Sequence, residues 1–225
     1  MMEALYSLCD RFSEFSVSSQ WRSLLDLYLL IEKETTSFQQ TYGVACPPGC
    51  GTCCEHFVPE LTELEASLIG AYLLFVKQDP SVLARLDAYE ASSGTCPLYN
   101  PDSPYHCTVY PVRGMICRLF GACPSEDKFG NPIFRKCKYN TDVQSPVLLD
   151  AKDFGTGAAA VTTMRKLSVQ FSALEPLAAT LPITDAVLRS LSRLQFIAAH
   201  MGSDSHDDDN GGSDPLVPTP TPLAS

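Results

Sequence analysis

No apolar run in the sequence approaches membrane-spanning length. The longest, residues 68–76, falls far short of the ~20 residues a helix needs to cross a bilayer, so no membrane partner is expected. Basic residues are also scarce: 16 Lys and Arg stand against 26 Asp and Glu, a formal charge of −10. No basic stripe interleaved with aromatics occurs, which argues against nucleic acid as a partner. The opening residues, MMEALYSLCDRFSEF, lack a basic start and an apolar stretch, and Glu3, Asp10 and Glu14 interrupt them early; no export signal is expected. There is no internal repeat and no regular alternation of strands with helices. Gly155-Thr-Gly157 follows no convincing strand and reads as a turn leading into a helix, not a nucleotide-binding loop. These absences point to the cytoplasm.

Apolar residues make up 45% of the chain and charged residues 19%, a balance that supports a packed core. The unusual feature is ten cysteines. In a reducing cytoplasm they are not expected to form five disulfides, and cysteines kept in such number usually hold metal or do redox work. Cys9 stands alone near the start; the other nine fall between residues 46 and 137. The first group is Cys46-Pro-Pro-Gly-Cys50-Gly-Thr-Cys53-Cys54, with Gly49 and Gly51 permitting a tight backbone around the sulfurs. The second comprises Cys96-Pro-Leu-Tyr, His106-Cys107-Thr-Val-Tyr-Pro and Arg113-Gly-Met-Ile-Cys117-Arg118, with Cys123 and Cys137 beyond. These spacings are too long for one knuckle and suggest loops returning to a shared site. Arg113 and Arg118 are placed to offset thiolate charge. His56 and His106 are read as surface or hydrogen-bonding groups rather than ligands. Cys123 and Cys137 are left open between ligand and buried thiol.

Periodicity predicts a mainly α fold, with helices flanking an irregular cysteine-rich metal-binding centre. Residues 1–200 are read as one domain: N-terminal helices over 2–40, broken at Ser16–Ser19, a cysteine-rich core over 41–140, and C-terminal helices over 150–200. Thr62-Glu63-Leu64-Glu65 has the form of a capping box opening a helix to about Lys77. Short helices are predicted over 81–91, 158–174 and 184–200. Residues 94–140, with little periodicity, are expected to need a staple. Residues 201–225, an acidic and Pro-rich tail, are expected to be disordered.

The pattern CxxxCxxCC at 46–54, the helix start at Thr62, and CPLY, HCTVYPVR and CR over 96–118 resemble the YkgJ-type cysteine-cluster family, described as a zinc- or iron-chelating domain. A related cysteine arrangement occurs in flagellin lysine-N-methylases, which are iron–sulfur proteins. The resemblance spans about residues 40–125 and implies Cys46, Cys50, Cys53, Cys54, Cys96, Cys107 and Cys117 as metal ligands. Two departures stand out. The first gap holds three residues where the family has two, and Arg113-Gly114 stands where the family has Arg-Pro. The implied function is metal binding, either a 4Fe-4S iron–sulfur cluster or Zn held by thiolates. The alternative is an iron–sulfur-dependent protein-modifying enzyme. Cys46-x3-Cys50-x2-Cys53 also fits the radical S-adenosylmethionine signature, but the strand–helix units of such barrels are missing. Both metals accept all-thiolate sites. No catalytic pair and no protein partner can be named from the residues.

Overall fold

The structure, a computed structural model, describes residues 1–47, 49–90, 93–139 and 143–201, without the side chains of 200 and 201. The tail beyond 201 lies outside them. The architecture is mainly α with small sheets, as the periodicity predicts. Helices α1 (Met2–Arg11) and α2 (Ser16–Tyr42) are separated by residues 12–15. The serines at 16–19, read above as the break, instead form the first turn of α2. The break falls earlier because Phe12 and Phe15 turn inward, their rings 6.1 Å apart with Phe12 against Trp21 at 5.4 Å. The 27 residues of α2 end at Gly43, whose left-handed φ of 63° closes the helix as a C-terminal glycine does.

Strand β1 (Glu60–Leu61) leads into α3 (Glu63–Tyr72), which continues as a π-helical turn over Leu73–Lys77. The capping box forms as expected: the Thr62 hydroxyl accepts from the Glu65 amide, and the Glu65 carboxylate accepts from the Thr62 amide. Helices α4 (Pro80–Asp87) and α5 (Met115–Leu119) follow, then a three-stranded antiparallel sheet of β2 (Ser125–Glu126), β3 (Pro132–Arg135) and β4 (Leu148–Leu149). Helix α6 covers Met164–Leu174, starting later than residue 158 because the Thr163 side chain caps it and residues 155–160 form a 3₁₀ turn. Strand β5 (Leu181–Pro182) pairs antiparallel with β1, Leu61 opposite Leu181, and leads into α7 (Ile183–Met201). This ladder fixes the starts of α3 and α7 side by side.

Trp21, Leu24, Leu25 and Ile31 of α2, Leu68 and Ile69 of α3, Leu167 of α6 and Val187 of α7 are fully buried in one core. Each such side chain contributes about 1.5–3 kcal/mol on leaving water. Leu98, Val109, Val112 and Leu119, from the stretch expected to need a staple, are at most 1% exposed in the same core. That stretch is therefore anchored by apolar burial as well. By contrast, no described residue between 45 and 57 is buried. A second cluster of Phe38, Val44, Phe134 and Phe154 joins the end of α2 to β3.

Candidate metal centre

Four segments meet at one cavity. The first is the turn over residues 46–54. Gly49 and Gly51 take φ of 74° and 66°, and a side chain at Gly51 would collide with the His106 Cβ, so the turn is folded directly onto the second cysteine group. There the His106 Nδ1 meets the Gly49 carbonyl. The second segment is tied on by the Cys96 amide, which donates to the Cys54 carbonyl at 2.7 Å, and by an antiparallel bridge between Tyr99 and Cys107. The third is α5, carrying Cys117. The fourth leaves β3 two residues before Cys137, and its Tyr139 stacks on His56 with ring centroids 4.8 Å apart.

The resulting cavity, about 200 Å³, is lined by Cys46, Cys50, Cys53, Cys54, Cys96, Cys107, Cys117 and Cys137. All seven cysteines named from the resemblance face this space, and Cys137 joins them. Cys123 does not: it is buried beside the Pro124 and Thr162 carbonyls, 3.6 and 3.7 Å from its sulfur. Cys9 is buried in the core, and no disulfide joins any of the ten cysteines. His56 and His106 do not line the cavity. The sulfurs surround the space without closing on one point: among the described residues, no three donor side chains are set to hold an ion. The donor chemistry fits zinc or iron, since soft thiolates suit both.

The position of Cys137 follows from the small sheet. Asp127 Oδ1 accepts from the amides of Phe129 and Asn131 at 2.8 and 2.9 Å, turning the chain from β2 into β3. The Lys136 amide continues the ladder to the Val147 carbonyl at 3.0 Å. The turn chemistry of Asp127-Lys-Phe-Gly-Asn131 followed by an apolar-containing run was the available signal for this hairpin.

Burial and neighbouring sulfurs set the thiols' acidity. Burial, then the charges of Cys50, Cys53 and Cys137, pushes Cys46 up to about 11; burial pushes Cys96 up to about 12 and raises Cys107 and Cys117. Cys53 is pushed down to about 7 by the hydrogen bond from the Cys54 thiol, 4.0 Å away, and Cys54 is raised correspondingly. Cys53 is thus the thiol of the pair readiest to bind as thiolate.

Two arginines, Arg113 and Arg118, also stand at the cavity. Arg118 donates to the carbonyls of Arg113 and Pro111 at 3.0 and 2.6 Å, and its guanidinium lies 3.9 Å from the Tyr28 ring centroid. Burial lowers its pKa to about 10, which leaves it cationic at neutral pH.

Glu65 sets the position of α5. Its carboxylate accepts from the Met115 amide at 2.6 Å, the Thr62 amide at 3.2 Å and the Tyr28 hydroxyl at 3.2 Å. The capping box of α3 therefore also caps the helix that carries Cys117. A Cβ on Gly114 would lie 2.5 Å from Leu61 Cδ2 and 3.2 Å from Glu65 Oε1, so a proline ring does not fit there without displacing a fully buried leucine.

Burial raises the Glu65 carboxyl above its ordinary 4.5, against the pull of its three hydrogen bonds. A carboxyl that holds its proton more tightly folded than unfolded stabilises the fold fully below pH 4.5 and loses that contribution as pH rises through the folded value. The stability of the native chain relative to Glu65→Gln, which does not titrate, should fall as pH rises above 4.5. Urea unfolding midpoints at successive pH values check this; a difference independent of pH would contradict it.

The described residues thus give a mainly helical fold with one cavity lined by eight cysteines. Residues 45–138 match the model of the family CxxCxxCC, "Putative zinc- or iron-chelating domain", so the resemblance seen in the motifs holds over that stretch. The match includes Cys137, which the motif comparison left open. No curated protein and no solved structure matches the chain. Among the described residues, no helix is long and apolar enough to cross a membrane.

Proposed function

We propose that this protein is a cytoplasmic metal-binding protein holding an iron–sulfur centre through thiolates of Cys46, Cys50, Cys53, Cys54, Cys96, Cys107 and Cys117, together with Cys137. The observation that carries the reading is the convergence of eight thiols from four separate segments on one cavity. Ten cysteines with no disulfide among them suit a reducing compartment. Zinc accepts the same donors. Iron is favoured because a cavity of about 200 Å³ has room for more than a bare ion, and a cluster brings its own sulfide to fill that space. Arg113 and Arg118 would offset the excess negative charge of the ligated centre, and the mixed apolar walls, among them Phe57, Phe120 and Ile69, would limit solvent access and so tune its potential.

Protein isolated without oxygen should be brown, with broad absorption near ~400 nm and acid-labile sulfide. Colourless protein with stoichiometric zinc would overturn the iron assignment and keep the thiolate site. Protein with neither metal would overturn both.

A further inference from the structure

The metal-binding reading leaves open how eight thiols are shared, and the inference here rests on that reading. We propose that the cavity holds two metal centres: one bound by Cys46, Cys50, Cys53 and Cys137, the other by Cys54, Cys96, Cys107 and Cys117.

The two sets are built by different parts of the chain. On the first side, Gly121 (φ of 72°) presents a bare face at which an added Cβ would lie 3.3 Å from the Cys137 Cβ and 3.7 Å from the Cys46 sulfur. Cys46 and Cys137, distant along the chain, thus meet at a glycine that leaves room for both. The Cys46 sulfur also lies 3.9 Å from the Phe120 carbonyl beside it. Cys50 stays on this side because its amide closes a tight turn on the Pro47 carbonyl at 3.1 Å. On the second side the backbone itself links the thiols. The Cys54 carbonyl holds the Cys96 amide, the Cys96 carbonyl holds the Tyr99 amide at 3.0 Å, and Tyr99 pairs with Cys107. Helix α5 adds Cys117 to that wall.

The Cys53 sulfur lies 4.0 Å from that of Cys54, and it is the Cys54 backbone that is tied to Cys96. The adjacent pair is therefore the seam. Four thiolates complete one tetrahedral ion or one cluster, so the set divides into two full complements, with one residue of the adjacent pair serving each.

Cobalt(II), which takes tetrahedral thiolate sites as zinc does, tests the division. Titrated under nitrogen into the reduced full-length chain and followed by thiolate-to-cobalt charge transfer, it should saturate at two equivalents per chain. The double variants Cys46→Ser/Cys137→Ser and Cys96→Ser/Cys117→Ser should each saturate at one. Saturation of the native chain at one equivalent would overturn the division, as would loss of all cobalt from either double variant with its far-ultraviolet circular dichroism intact. The native end point decides the matter even if a variant fails to fold. Failure of the native chain to bind cobalt at all would instead overturn the metal-binding reading.

Discussion

Stripping the metal from the holoprotein under reducing conditions should release the turn over residues 46–57 and leave the helices in place. Hydrogen exchange reads this at the amides of Cys50, Cys54 and His56, which bond to the carbonyls of Pro47, Gly51 and Cys53 at 3.1, 2.8 and 3.2 Å. Their protection should drop by at least about 100-fold, corresponding to roughly 3 kcal/mol or more of local stability supplied by ligation. The reason is the uneven burial. The described residues of 45–57 contribute no buried side chain, so without ligands they are held by hydrogen bonds and surface contacts alone, among them the Cys96 amide on the Cys54 carbonyl, the Tyr99 hydroxyl on the Glu55 carboxylate and the Tyr139–His56 stack. Leu98, Val109, Val112 and Leu119 remain in the main core, and the amides around them should keep most of their protection. Equal loosening across both thiol groups would mean that ligation organises the whole middle of the chain, and unchanged protection at Cys50 and Cys54 would mean that these residues ligate nothing.

Glu65→Ala should cost about 3–4 kcal/mol of folding stability and reduce metal retention together. The buried carboxylate satisfies two backbone amides and the Tyr28 hydroxyl; removing it leaves three donors unpaired in a dry site, at about 1–3 kcal/mol each before relaxation. The coupling to metal arises because the Met115 amide opens the helix bearing Cys117, while Tyr28 lies beneath the Arg118 guanidinium. Denaturant unfolding of the metal-free chain gives the first effect, and metal content after chelator challenge the second. Stability lost with metal retention unchanged would show that Cys117 is positioned independently of Glu65.

The residues that advertise themselves locally were legible in the sequence. Thr62 and Glu65 stand at capping-box spacing, and the helix they open was predictable because each needs only the four residues of that turn. Cys46 to Cys54 were likewise visible as a group because the chemistry is concentrated in nine positions. The second role of Glu65 was not legible, since Met115 reaches it only through tertiary folding. Nor was the pairing of Leu61 with Leu181, because two-residue strands carry no periodicity. Cys137 was left undecided for a related reason: its place depends on a hairpin, an aromatic cluster of Phe38, Phe134 and Phe154, and a stack of Tyr139 on His56. The histidines were read as surface or hydrogen-bonding groups, and neither lines the cavity, but the approach of His106 to the glycine turn could be known only from the meeting of the two segments.

X-ray absorption at the edge of the metal carried by anaerobically isolated protein tests the central assignment most directly. Thiolate ligation predicts a first shell of sulfur alone, at about 2.3 Å for iron or zinc, with an additional iron–iron shell if the centre is a cluster. A first shell of nitrogen or oxygen would contradict it, because it would place the metal away from the cysteine-lined cavity.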